Sequence, residues 1–184
     1  RGIVIFSQCH IKNITPDAVG AVQQFIFVDS IVYNNFSLRT ANNTYSSIMT
    51  AKNTAFRGGI NDLLKGFTAI NCEFGGSLFF RIVNAGGGAS SLLLQQCVVK
   101  ANQDFIIIGN TSSFVIEVYL IDCFINLNTS SNPKKIITGT GNIDCFFQGV
   151  VTDVVAPYTE SGNTLKEDIT VISTAKMNKI ASTL

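Results

Sequence analysis

One short segment recurs along this 184-residue chain, and it constrains the fold more than any other feature. Its cysteine form is Gln8-Cys9-His10-Ile11, Asn71-Cys72-Glu73-Phe74, Gln96-Cys97-Val98-Val99, Asp122-Cys123-Phe124-Ile125 and Asp144-Cys145-Phe146-Phe147. Asp29-Ser30-Ile31-Val32 and Asn53-Thr54-Ala55-Phe56 repeat it without the thiol. Taking positions 9, 30, 54, 72, 97, 123 and 145 as equivalent, the unit is about 23 residues long. Inside it, polar and apolar residues alternate with the period of two that a strand with one buried face requires. Asn13, Asn34, Gly58, Gly76 and Gly149 follow the strands and suit a left-handed corner.

A second apolar run follows in several units, as in Leu78–Val83, Phe105–Ile108 and Ile136–Thr138. Short strands repeating every 23 residues, with no helical period of comparable length, predict a coil in which each strand pairs with its counterpart one unit on. The expected fold is all-β: a right-handed, single-stranded parallel β-helix of about seven rungs over residues 1–155. Residues 156–184 are expected to form a cap or subunit-contact tail, with a short helix over Ser173–Ile180.

Composition narrows the class. At 46% hydrophobic the chain can bury a core. With 13 Lys and Arg against 12 Asp and Glu, its charge is too balanced for a dedicated nucleic-acid partner. No apolar run exceeds four residues, whereas a membrane helix needs roughly 20, so no membrane insertion is expected. The chain opens at Arg1 with an apolar strand already under way and reads as a piece of something longer.

The cysteines share one inward position, with Ser30 and Thr54 as near-isosteres, and read as a packed ladder of free thiols suited to assembly in a reducing cytoplasm. No Cys-x-x-Cys occurs and the single histidine, His10, lies on an outward position, so neither metal nor cofactor is expected. Gly86-Gly87-Gly88 is a turn, since no Gly-Lys-Ser/Thr follows it.

The recurring Asn/Asp-Cys-x-Phe/Ile strand resembles the pectin-lyase-like right-handed β-helices, which include pectate lyases, polygalacturonases and phage tailspikes. The resemblance covers about Ile3 to Val151. It implies the fold and leaves activity open, because the pattern encodes stacking. The polygalacturonase motifs Asn-Thr-Asp, Asp-Asp, Gly-His-Gly and Arg-Ile-Lys are absent; the nearest basic match is Arg81-Ile82-Val83.

Three columns of the repeat carry candidate function. Before the thiol stand Gln8, Asp29, Asn53, Asn71, Gln96, Asp122 and Asp144. Consecutive rungs would set Asp122 and Asp144 about 5 Å apart, near the carboxylate separation of retaining glycosidases, so this pair is the catalytic candidate; the alternative is a solvated stripe. After the thiol stand His10, Ile31, Ala55, Glu73, Val98, Phe124 and Phe146, where Ile31, Val98, Phe124 and Phe146 mark an expected oligomer contact, by resemblance a homotrimer. Three positions past the thiol, Tyr33, Arg57 and Lys100 are candidate glycan-binding residues on a flat sheet. The first functional expectation is a non-catalytic structural or attachment module of a virion or cell surface, such as a tailspike, fibre or capsid-decorating protein, that contacts other surface proteins and host glycans. The second is a polysaccharide depolymerase.

Overall fold

The computed structural model describes residues 2–14, 22–34, 36–37, 48–61, 66–76, 80–84, 90–110, 115–129, 133–155 and 162–182. They form an all-β parallel β-solenoid with three sides. The first side stacks the long strands β1 (Gly2–Ser7), β3 (Val22–Val28), β6 (Ile48–Lys52), β9 (Gly66–Ile70), β12 (Ser90–Gln95), β15 (Ile116–Ile121) and β18 (Ile143–Thr152). The second stacks the short strands β2 (His10–Ile11), β4 (Ile31–Val32), β7 (Ala55–Phe56), β10 (Glu73–Gly76), β13 (Val98–Ala101) and β16 (Phe124–Asn126), and meets the end of β18. The third is a separate sheet of β5 (Phe36–Ser37), β8 (Ile60–Asn61), β11 (Phe80–Asn84), β14 (Ile106–Asn110) and β17 (Ile137–Thr140). Every pairing is parallel, as chain that winds in one direction demands. The first side alone stacks seven strands, from β1 to β18.

Alternation along each strand builds the interior. On the first side Phe25, Met49, Phe67, Leu92, Val118 and Cys145 stack in one inward column, and Phe27, Ala51, Ala69, Leu94, Leu120 and Phe147 in the next; all are buried. Phe56 stacks on Phe74 at 5.2 Å and meets Phe27 and Phe67 edge-on at 5.8 and 6.0 Å. Each ring buried there stabilises the coil by roughly 2–3 kcal/mol.

The corner between the first and second sides explains the recurring segment. Gln8, Asp29, Asn53, Asn71, Gln96 and Asp122 all adopt left-handed backbone, with φ between 50° and 54°. The corner therefore falls on the residue before the thiol. Of the expected corner residues, Asn13, Asn34 and Gly58 do not have positive φ, whereas Gly149 does, at 61°. The next residue turns inward and bonds the carbonyl two positions upstream: Ser30 to Val28 at 2.8 Å, Thr54 to Lys52 at 3.0 Å, Cys72 to Ile70, Cys97 to Gln95 and Cys123 to Ile121 at 3.3 Å. Each of these carbonyls also accepts the corner amide of the preceding rung, as Val28 does from Gln8 and Gln95 from Asn71. A small side chain with an O–H or S–H is what this position can use, which is why Ser, Thr and Cys interchange there.

The last rung departs from the expected alignment. Cys145 pairs with Val118 on the first side, and the position opposite Cys123 belongs to Val150, because Phe124 pairs with Val151. Gly149 is then the left-handed corner. The cue lay in Gly149-Val150, but the string Asp144-Cys145-Phe146-Phe147 imitates the corner segment. All five thiols are free, with Cys9 half-buried and the other four buried.

Beyond residue 155 the main sheet continues: β19 (Gly162–Val171) pairs in parallel with β18. Helix α1 (Thr174–Ala181) follows, with Ser173 as N-cap accepting the Lys176 amide. Its Met177 is fully buried, and the Asn126 amide donates to Asn178 at 2.8 Å. Beneath it lies the buried carboxylate of Asp153. Its Oδ1 accepts the Leu127 amide at 2.8 Å, and its Oδ2 the Thr129 amide at 2.8 Å and the Thr174 hydroxyl at 3.1 Å.

Candidate functional site

The second side carries the polar chemistry on its outer surface. Tyr33, Arg57, Gly75 and Lys100 follow one another in a single column, since Tyr33 and Arg57 hydrogen-bond the rung before each and Gly75 pairs with Lys100. The glycan-binding candidates thus share one column, with Gly75 between Arg57 and Lys100. A side chain at Gly75 would meet the guanidinium, as its Cβ would stand 3.0 Å from Arg57 Nη1. The missing Cβ lets Arg57 lie across the next rung and grip Glu73 with both nitrogens, at 2.6 and 3.1 Å. That grip raises the Arg57 pKa and holds the Glu73 carboxyl below its ordinary value; the Lys100 charge acts on Glu73 in the same direction. At the start of the column the Tyr33 hydroxyl pairs with His10 Nδ1 at 3.1 Å, and Tyr33 is 44% exposed. Asn71, Cys72, Glu73, Gln96, Val98 and Lys100 line a shallow groove of about 120 Å³ beside the ion pair.

Along the corner the polar groups bond from rung to rung. The Asn53 amide donates to Asp29 Oδ1 and the Asn71 amide to Asn53 Oδ1, both at 2.9 Å; at the far end of the second side, Asn34 donates to Asn13 at 2.7 Å. Asp122 belongs to this corner; its neighbour one rung on is Gly149, and a Cβ there would stand 2.4 Å from Asp122 Oδ1. Asp144 lies on the first side and pairs in register with Glu117. Asp122 and Asp144 are therefore not rung neighbours, and the expected carboxylate pair is replaced by Glu117 and Asp144, a pair visible only once the register of β18 is known. Two residues along the same strands, Tyr119 and Phe146 stand with ring centres 5.8 Å apart. Desolvation first, and the Glu117 carboxylate second, raise the Tyr119 pKa.

The expected oligomer contact divides between two sides. Ile31, Val98 and Phe124 are half-buried in one column of the second side, interleaved with Ala55 and Glu73 and followed by Val151. Phe146 does not stand beside Phe124; it belongs to the middle of the first side, in line with Leu93 and Tyr119. The first side's outer surface, which the sequence did not single out, is the more apolar of the two. Its middle column reads Ile5, Ile26, Thr50, Thr68, Leu93, Tyr119 and Phe146, and ends on Lys166 of β19.

Inside the corner, Cys97 is flanked by Cys123 and Cys72, and these neighbours together with burial push its thiol strongly up. Burial, helped by Asp144, pushes Cys145 up to about 12. The Cys97 thiol, held neutral and bonded to the Gln95 carbonyl, is a packing group. Among the described residues no cluster of three metal-ligating side chains forms, and no helix is long and apolar enough to cross a membrane. Gly86-Gly87-Gly88 lies outside the described residues. No family model, curated protein or solved structure matches the chain.

Proposed function

We propose that this chain is a rigid, non-catalytic module of a virion or cell surface, a tailspike-like member of the pectin-lyase-like β-helices, that spaces or attaches its parent assembly and contacts host glycans through Tyr33, Arg57 and Lys100. The observation that carries this reading is the direction in which the polar groups are used. Asp29, Asn53 and Asn71, then His10 and Tyr33, then Arg57 and Glu73 bond along the coil from one rung to the next. Side chains engaged in this way stiffen a rod and present a flat, pre-ordered surface, which lowers the entropic cost of holding an extended ligand. Tyr33 offers an exposed ring face and Lys100 a cation at the edge of the groove.

One observation favours a depolymerase as second reading: Glu117 and Asp144 stand side by side under Tyr119 and Phe146, at the spacing of neighbouring strands, about 4.8 Å. Both readings meet in one experiment, in which the chain is incubated with a panel of neutral and acidic polysaccharides while retention and new chain ends are measured. The proposed role requires retention that falls at least fivefold in Tyr33→Ala and Lys100→Ala, with no new ends. Chain cleavage lost in Asp144→Asn or Glu117→Gln overturns it.

A further inference from the structure

We propose that the ligand of the short-strand side is an acidic polysaccharide in which neutral sugars separate the charged ones, and that Glu73 is the residue that sets this preference; the inference rests on the glycan-contact reading above. The second outward column of that side runs from rung to rung as Lys12, Tyr33, Arg57, Gly75 and Lys100, since Ile11 pairs with Val32, Phe56 with Val32 and Phe74, and Gly75 with Lys100. Its charges do not add along the coil. Glu73 takes hold of Arg57 through Nη1 and Nη2, and the two cancel. The net positive charge of the column therefore stands at its ends, on the exposed Lys12 and on the half-buried Lys100. At about 4.8 Å per rung, these ends lie roughly 19 Å apart. A pyranose in an extended chain is about as long as one rung, so about four sugars span the interval.

Between those ends the surface suits uncharged rings. Tyr33 is exposed, and the face of its ring carries the negative end of the quadrupole, which stacks a neutral sugar and repels a carboxylate. At Gly75 no side chain rises, so a sugar can come down on the guanidinium that lies there. An anion at that point would meet the Glu73 carboxylate, two residues back on the same rung. The ion pair uses two of the five N–H donors of Arg57, which leaves the others for sugar hydroxyls. Removing the Glu73 charge turns the centre of the column cationic, and the preference for neutral sugars there goes with it. Other carboxylates stand away from the column. Asp29 and Asp122 are at the corner, about 10 Å back along their strands and thus about a Debye length off, and Asp153 is buried beneath α1.

Retention of three probes on the intact chain tests this: deacylated gellan fragments, which carry a carboxylate on every fourth sugar; the same fragments with their carboxyls reduced to alcohols; and polygalacturonate, which carries one on every sugar. The expected result is gellan retention at least fivefold above that of either other probe. Lys12→Gln and Lys100→Gln should bring it down to the level of the reduced fragments, and Lys52→Gln on the first side should leave it unchanged. Glu73→Gln should raise polygalacturonate retention at least fivefold. Gellan and its reduced form held equally, polygalacturonate held as well as gellan, or polygalacturonate unmoved by Glu73→Gln overturns the inference while the glycan contact stands. No retention of any probe overturns both.

Discussion

Replacing Asn53 isolates the physics of the corner. The residue sits at φ 50°, and its side chain both accepts from Asn71 and donates to Asp29, each at 2.9 Å. Left-handed backbone costs an ordinary L-residue about 1–2 kcal/mol, a cost that asparagine largely escapes and glycine avoids. Two exposed side-chain hydrogen bonds add about 0.5 kcal/mol each. Asn53→Gly should therefore destabilise by about 1 kcal/mol and Asn53→Ala by about 2 kcal/mol. Asn53→Val, whose branched Cβ suits the left-handed region least, should cost about 3 kcal/mol. The assay is urea unfolding followed by circular dichroism, comparing midpoints at constant slope. A cycle combining Asp29→Ala with Asn53→Ala should return a coupling of about 0.5 kcal/mol. An alanine variant as stable as the glycine variant would refute the reasoning, because the corner would then carry no left-handed strain.

Three further outcomes follow from particular contacts. Gly139 has φ 135°, and a Cβ there would stand 1.8 Å from the Ile108 carbonyl oxygen, so Gly139→Ala should cost more than about 3 kcal/mol and be recovered as insoluble protein; a soluble variant with an unchanged melting curve sinks this. Asp153→Ala strips the buried Leu127 amide and the half-buried Thr129 amide of their acceptor and should cost about 2–4 kcal/mol, with hydrogen exchange rising first in α1; uniform exchange would contradict a role for Asp153 in seating that helix. The folded pKa of Glu73 lies below its unfolded value, so the ion pair's contribution is present above the unfolded pKa and is lost as pH falls through the folded one, in the acid range. The pair is partly exposed, so that contribution is about 0.5 kcal/mol after solvent screening, and Glu73→Gln should flatten the acid limb of a stability profile by that amount, while an unchanged limb counts against it.

The coil was legible because its repeat is written in side chains that alternate with period two and recur at one corner. Ser30, Thr54, Cys72, Cys97 and Cys123 mark that corner in the sequence as they do in space. The candidate site was legible in part. Tyr33, Arg57 and Lys100 could be placed in one column by counting from the thiol, but the Arg57 to Glu73 grip depends on the empty space above Gly75. The pairing of Asp122 with Asp144 failed because a one-dimensional match cannot distinguish a corner from an inward strand position when both read polar, cysteine, apolar.

The sequence alone determined that this chain winds into a parallel β-coil with small hydrogen-bonding side chains inside its corner, since periodic burial is a local property that each segment carries for itself. Which residues stand beside each other across rungs was decided only by the tertiary structure. Register depends on loop lengths and on where the corner falls, and a shift of a few residues in β18 moves Cys145 off the corner column, sets Glu117 beside Asp144 and brings Phe146 next to Tyr119 on the broad apolar side.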